Sequence, residues 1–272
     1  MRLTKQALEE AGLPEDSAST GVDVVGDIAI VRVPGLKPAE RRRFGESIMK
    51  VSGKVSSVYE QVGGIEGELR LRKLRLIAGS RKTLTIHREN GCAFKVDVRK
   101  CYFSPRLATE RLRVADDVGG DERVLNMFAG VGPYSIVIAK RKHARVTSCE
   151  FNAFAAKLHV ENNFTNRVEA LVEVFKADVS KWAAKSRRKF DRVIMPHPSQ
   201  TAKFLPLALS LAGRGAVIHY YTHVLGRDDR EAADAVKAEL GPKLTGLAGF
   251  AVRKVREVGP RWVEMAADIR LD

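Results

Sequence analysis

Cysteine is scarce. Cys92, Cys101 and Cys149 are the only three in 272 residues, and no two form a Cys-x-x-Cys pair. That excludes a disulfide framework and a thiolate zinc site, and it fits reduced thiols in the cytoplasm. Long apolar runs are missing too. None approaches the ~18–20 residues that span a bilayer. The start, Met1-Arg2-Leu3-Thr4-Lys5-Gln6, runs into mixed polar sequence instead of a signal-peptide apolar block. A membrane is therefore not an expected partner. The six histidines are scattered. His219 and His223 are four apart, but the pattern places one at a strand end and the other in a loop. No cysteine or carboxylate cluster joins them, so no metal site is expected. Acidic residues are in deficit: 33 Asp and Glu face 47 Lys and Arg, a formal charge of +14.

A surplus of that size favours a polyanionic partner, nucleic acid above all. The basic residues cluster as Arg41-Arg42-Arg43, then Arg70 with Arg72, Lys73 and Arg75, then Lys140-Arg141-Lys142, then Arg187-Arg188-Lys189. Each cluster alone reads as a solvated face. Together they would make a phosphate-tracking surface with steeply salt-dependent binding. No basic low-complexity tail and no internal repeat is present, so such a surface must be folded. The 44% hydrophobic content suffices for one large domain or two smaller ones.

Residues 1–20 are polar and read as a short helix or loose arm. Asp23–Val33 alternates around Gly26-Asp27, as a strand or tight hairpin does. Pro38–Val51 has helical spacing. Leu84–Glu89 and Ala93–Val98 flank Asn90-Gly91, which supplies the positive φ angles of a type I′ hairpin turn. Residues 21–103 therefore read as a small α+β domain. From residue 104 the pattern changes. Ser104 is placed as N-cap and Pro105 as first residue of a helix to Asp117. Apolar strands then alternate with helices: strands at Arg123–Met127, Ala144–Glu150, Ala170–Phe175, Asp191–Met195 and Ala216–Tyr221, helices at Pro133–Lys140, Ala153–Asn163 and Thr201–Ala212. Such alternation implies a parallel, doubly wound α/β sheet over residues 104–272. Phe250–Glu257 and Trp262–Leu271 read as a terminal strand pair.

Asn126-Met127-Phe128-Ala129-Gly130-Val131-Gly132-Pro133 follows a strand and opens a helix. Its glycines let backbone approach a ligand closely. A lone Gly-x-Gly is weak, but Glu150 ends the next strand about twenty residues on, where a carboxylate can bind ribose hydroxyls. Asp178 follows the third strand, where a carboxylate can accept from an adenine amino group. The plain alternative for both is a solvated strand end or a helix N-cap. No phosphate-binding lysine or third glycine is present, which makes NAD or ATP the less natural cofactor.

With these motifs the sequence resembles the archaeal and eukaryotic tRNA (guanine-37 N1)-methyltransferases and their sister group, the wybutosine-synthesising aminocarboxypropyltransferases. The resemblance covers about residues 20–272. It rests on Gly26–Val31, Gly64-Ile65-Glu66-Gly67-Glu68-Leu69-Arg70, Ile86–Gly91, Tyr102-Phe103-Ser104-Pro105-Arg106-Leu107-Ala108-Thr109-Glu110-Arg111, Met127–Ser135 and Val217-Ile218-His219-Tyr220-Tyr221. It implies a class I, Rossmann-like methyltransferase fold whose sheet ends in an antiparallel pair. It also implies S-adenosylmethionine as cofactor, the tRNA anticodon stem-loop as partner, and a monomer. Glu110 looks like the family's general base for the guanine N1 proton, and Arg70 like the arginine that stabilises O6. Arg106 joins them one turn before Glu110 on the expected helix. Phe103, Ser104, Arg111, Glu150, Phe151, Asp178 and Val179 match cofactor-contacting positions. Phe128 and Gly130 match the lining of its methionine end, and Pro196 is carried with this set. The chemistry needs such groups: guanine N1 is a poor nucleophile until deprotonated, and an arginine at O6 favours the enolate-like form.

The sequence departs from the family in three places. Pro196-His197-Pro198 stands where the methyltransferases carry an Asn-Leu-Pro or Asn-Pro-Pro stretch, so a side-chain amide is lost. His197 is either its substitute or a loop histidine. Asn126 stands where the family usually has aspartate. Only about twenty residues precede the matching region, so the extra N-terminal domain with which the longer methyltransferases touch the tRNA elbow is expected to be absent. Three readings follow. The first is N1-methylation of guanosine 37, favoured by Arg106 and Pro133-Tyr134. The second is a wybutosine-pathway enzyme at the same nucleotide, by 3-amino-3-carboxypropyl transfer or methylation of the tricyclic base. The third is an inactive tRNA-binding protein.

Overall fold

The change of pattern near Pro105 is also a boundary in the fold. The computed structural model describes residues 3–272 except 20, 68 and 247. Met1, Arg2 and Thr20 of the expected arm, and Glu68 of the Gly64–Arg70 motif, lie outside the described residues. The chain forms two compact units, Met1–Arg106 and Leu107–Asp272.

In the first unit, α1 (Leu3–Glu10), α2 (Pro38–Ser52) and a four-stranded sheet share one core. The sheet runs β1 (Asp23–Val25), β2 (Ile28–Val31), β3 (Ser57–Glu66), β4 (Leu71–Gly79) in spatial order. β5 (Leu84–Glu89) and β6 (Cys92–Asp97) form a separate hairpin. Its turn residues, Asn90 at φ 48° and Gly91 at φ 71°, have the left-handed backbone that Asn-Gly was expected to supply. Of the two readings of residues 1–20, the short helix holds over Leu3–Glu10 and the loose arm does not. Ala7 and Leu8 on one face of the helix, and Ala11, Leu13 and Ala18 after it, are buried with Phe44 and Ile48. The sequence pattern assigns no element to β3 and shows β4 only as a basic cluster. Arg72, Lys73 and Arg75 alternate with leucines along a strand and mask its period.

The second unit opens with a further correction. Pro105–Leu107 winds as a 3-10 turn, and α3 runs from Ala108 to Asp117 with Leu107 at its N-cap position. Ser104 is thus not the α-helical cap, and Arg106 and Glu110 do not share one helix. Five parallel strands follow: β7 (Arg123–Asn126), β8 (Arg145–Glu150), β9 (Val172–Lys176), β10 (Phe190–Met195) and β11 (Ala212–Leu225). Helices α4 (Pro133–Lys142), α5 (Ala153–Asn166), α6 (Val179–Ala183) and α7 (Thr201–Leu211) connect them. After α8 (Asp229–Leu244), β12 (Ala248–Gly259) and β13 (Trp262–Leu271) add antiparallel. The order is β12-β13-β11-β10-β7-β8-β9.

β11 is longer than expected because β13 pairs with it from Val217 to Leu225. His223 therefore lies in a strand, not a loop. α8 escaped the sequence reading although Ala232, Val236, Leu240 and Leu244, all buried, repeat every four residues. No helix among the described residues is long and apolar enough to cross a membrane.

Candidate active site

Four loops leave the carboxyl ends of β10, β7, β8 and β9, which neighbour one another in that order. This edge of a doubly wound sheet binds ligands, and the strand order reverses between β7 and β10. Pro196, the Phe128–Gly130 turn, Glu150 with Phe151, and Asp178 with Val179 occupy these four loops in turn.

Gly130 and Gly132 both have left-handed backbone, φ 56° and 93°. Glu150 closes the turn from the next strand. Its Oε2 accepts from the Gly130 amide at 2.6 Å and its Oε1 from the Asn152 amide at 2.7 Å. Burial pushes the Glu150 carboxyl above its ordinary range, against the pull of the Asn152, Gly130 and Phe151 amides. Each carboxylate oxygen has a second lone pair, so this anchored group can also accept ribose hydroxyls. Asp178 is the N-cap of α6, its Oδ1 accepting from Ser180 and Lys181 amides. Val179 is buried in the core, whereas Phe151 is 58% exposed.

The Phe128 ring meets His197 edge-on at 5.3 Å and Phe204 at 5.2 Å. The Pro196-His197-Pro198 loop is thereby tied to the glycine turn. His197 Nδ1 also lies 3.3 Å from Ser199 Oγ. Asn126, fully buried, donates to Ser135 Oγ at 3.0 Å and accepts from the Phe128 amide at 3.4 Å. An ionised aspartate there would lack the donor.

Glu110 lies on α3 with only 5% exposure. Arg113 grips it through Nε at 3.2 Å and Nη2 at 3.0 Å. The Tyr221 hydroxyl donates to its Oε1 at 2.6 Å, and Arg253 from β12 donates to the same oxygen. Burial, together with Tyr134 and Glu110, keeps the Tyr221 phenol protonated far above the ordinary range. Arg111 beside it is buried. Sequence reasoning missed Arg113, Arg253 and Asp268 and gave Tyr221 no role. Only Arg113, three residues after Glu110, carried a local signal; the others arrive on strands distant in sequence.

The remaining candidates belong to the first unit. Arg70 has left-handed backbone, φ 52°, and its guanidinium lies 4.3 Å from the Tyr102 ring centroid, a cation–π distance. Arg106 donates from Nε to Asp23 Oδ1 at 2.6 Å, and buried Arg72 holds Oδ2 at 2.8 Å. Burial opposes ionisation of Asp23, but the two guanidiniums hold its carboxyl below the usual range. Phe103 is buried, its ring 5.1 Å from His87 and 6.1 Å from Phe94. Its carbonyl accepts from Arg72, and Ser104 is buried beside it in sequence.

Comparison with known proteins adds a family. A model described as the TRM5/TYW2 methyltransferase domain matches residues 85–238, and one described as the TYW2 N-terminal domain matches residues 4–83. The chain is 39% identical over 256 residues to the tRNA (guanine(37)-N(1))-methyltransferase Trm5b of Pyrococcus abyssi, spanning 93% of this chain and 75% of that protein. It is 35% identical over 236 residues to the tRNA(Phe) (4-demethylwyosine(37)-C(7)) aminocarboxypropyltransferase of Pyrococcus horikoshii, spanning 86% and 81%. Among solved structures, a complex of aTrm5 and tRNALeu matches with a TM-score of 0.82 and 33% identity, over 95% of this chain and 74% of that one.

Proposed function

As the chain belongs to the TRM5/TYW2 methyltransferase family, we propose that it methylates N1 of guanosine 37, next to the tRNA anticodon, with S-adenosylmethionine as cofactor. The observation that carries this reading is the closure of the Gly130 turn by Glu150, with Asp178 one loop away, on the edge of the sheet that binds ligands. This donor set fits a nucleoside cofactor. Glu150 takes the ribose hydroxyls, and the Asp178 oxygen not used in capping takes the adenine amino group. Gly130, without a side chain, leaves room for the methionine end beside Phe128. Arg111, Phe151, Val179 and Pro196 are assigned to the same cofactor, and the family resemblance assigns Phe103 and Ser104 to it as well. When bound, S-adenosylmethionine supplies a methyl group on a sulfonium.

Glu110 takes the proton from N1 as the new N–CH3 bond forms, so the base leaves neutral and Glu110 leaves protonated. The family resemblance assigns Arg70 to O6, where negative charge gathers, and Arg106 to placing the base. The first unit contacts the tRNA, and the protein acts as a monomer in the cytoplasm. Greater identity and wider coverage of this chain by the methyltransferase than by the aminocarboxypropyltransferase support methyl transfer. The match of residues 4–83 to a TYW2 N-terminal domain favours a second reading, aminocarboxypropyl transfer or methylation of a tricyclic base at the same nucleotide.

The test uses two forms of S-adenosylmethionine, labelled on the methyl or on the carboxyl carbon, with tRNA carrying guanosine 37. Methyl label recovered in 1-methylguanosine is expected. Carboxyl label in the tRNA would replace the first reading by the second. Label only on tRNA that already bears a wybutosine precursor would do the same.

A further inference from the structure

Arg113 sits between two carboxylates and is bidentate to both. Nε and Nη2 serve Glu110 at 3.2 and 3.0 Å, and Nη1 and Nη2 serve Asp268 at 2.9 and 3.1 Å. Behind Asp268 the chain of bonds continues inward. His219, directly opposite Asp268 in the β11–β13 ladder, places Nδ1 2.6 Å from Oδ1 of Asp268. Its Nε2 lies 2.7 Å from Nη1 of Arg192. A guanidinium can only donate, so Nε2 accepts, and the proton of a neutral imidazole sits on Nδ1, aimed at Asp268. Arg192, itself buried, is fixed by Glu122 at 2.6 and 2.9 Å and by Asp117 at 2.7 Å. Glu110 is thus one end of a chain that passes through half-buried Arg113 and Asp268 to buried His219 and Arg192.

We propose that Asp268 and His219 are positioning residues for proton removal, acting through Arg113 to orient Glu110 and set its basicity. This rests on the assignment of Glu110 as the base. Charge counting supplies the reason. Glu110, Asp268, Arg113 and Arg253 sum to zero while His219 is neutral, so protonation of Glu110 takes the cluster to a single positive charge. Without the Asp268 charge the same step would go from one positive charge to two, and Glu110 would be a weaker base. Without the Arg113 charge it would go from one negative charge to zero, and Glu110 would hold its proton more tightly. The other titratable groups facing this cluster are Arg111 on α3, Tyr134 on α4, Tyr221 on β11 and Glu264 on β13, the last paired with Arg256 and with His223 on β11. They are the same in every variant considered.

The test is the single-turnover rate of methyl transfer to tRNA carrying guanosine 37, with both substrates saturating, between about pH 4 and about pH 9. Asp268→Asn should move the acid limb down by about one pH unit and lower the plateau about tenfold, with S-adenosylmethionine and tRNA affinities held within about twofold. Arg113→Gln should move the acid limb up. Opposite shifts are the signature, since a merely structural role gives no reason for the two to differ in sign. Unmoved limbs, or shifts of one sign, overturn the proposal. Should either variant fail to melt cooperatively, the 15N spectrum of His219 in the wild-type enzyme decides. Nδ1–H with unprotonated Nε2 at about pH 7 is expected from the Arg192 contact, and a cationic or Nε2–H ring there overturns it. Glu110→Gln separates the two levels. If that variant keeps the wild-type rate, the base assignment falls and this proposal with it. If it loses the rate while the limbs stay put, only this proposal falls.

Discussion

The ring of His159 fills the space that a β-carbon on Gly132 would need. An ideal Cβ at Gly132 would stand 2.3 Å from His159 Cδ2 and 2.5 Å from Nε2, and the backbone there has φ 93°. α5 thus presses its buried histidine against the second glycine of the turn that follows β7. The turn is fixed from two sides, by this packing and by the Glu150 bond to Gly130.

Gly132→Ala should therefore cost ~1–3 kcal/mol of stability from backbone strain, with overlap against the ring in addition. It should also weaken S-adenosylmethionine by roughly tenfold or more, because the turn that approaches the cofactor must shift. Thermal melting and calorimetric titration measure the two effects separately. Unchanged values in both would show that the turn relaxes freely.

Acid should destabilise the protein through His159. Neither of its ring nitrogens has a hydrogen-bond partner among the described residues, and burial drives its pKa down to about 3. The unfolded chain binds a proton near the ordinary value of 6.5, while the folded chain binds one only near 3. Stability is then intact above about pH 6.5 and falls below it, by up to ~1.4 kcal/mol per pH unit, until the folded state protonates. His219, also lowered by burial, acts in the same direction. His159→Leu should melt at or above the wild-type temperature at about pH 5 and show a shallower decline of melting temperature with acid. An identical decline in the two proteins would remove His159 from this account.

Asp178 caps α6 and is also assigned to the adenine, and two substitutions part these roles. Asp178→Ala should lose about 1 kcal/mol of capping together with cofactor affinity. Asp178→Ser should restore the cap, since serine accepts from the same amides, but it is too short to regain the affinity. Melting temperature and dissociation constant are the readouts. Recovery of both by serine would reduce Asp178 to a helix cap.

With a formal charge of +14 and tRNA as the proposed partner, tRNA affinity should fall at least about tenfold between roughly 50 and 200 mM salt, by counterion release. Filter binding at several salt concentrations gives the slope. Charge reversal at Arg187, Arg188 and Lys189 should reduce that slope if the cluster tracks phosphates and leave it unchanged if the cluster is only solvated.

Local pattern made much of this molecule readable. Asn90-Gly91 dictated a hairpin because few other pairs adopt two positive φ angles. The alternation of strands and helices after residue 104 dictated a parallel sheet, and the glycine turn with Glu150 two elements later marked its binding edge. Elements whose pattern was mixed were lost. Basic residues interrupting the leucines hid β4, and the 3-10 winding of Pro105–Leu107 moved Arg106 off the helix that carries Glu110. The family motifs named Glu110, but not what surrounds it.

That surrounding was decided by tertiary structure alone. Arg253 and Asp268 lie 143 and 158 positions beyond Glu110 in sequence, on β12 and β13. Their approach depends on the register His219↔Asp268 between two antiparallel strands. Shifting a strand by one residue would turn every side chain to the opposite face. Local pattern was enough for the fold class and the cofactor turn, and the family resemblance for the identity of the candidate base. Only the packed sheet determined which charges face that base, because a buried carboxylate takes its chemistry from neighbours that no local spacing encodes.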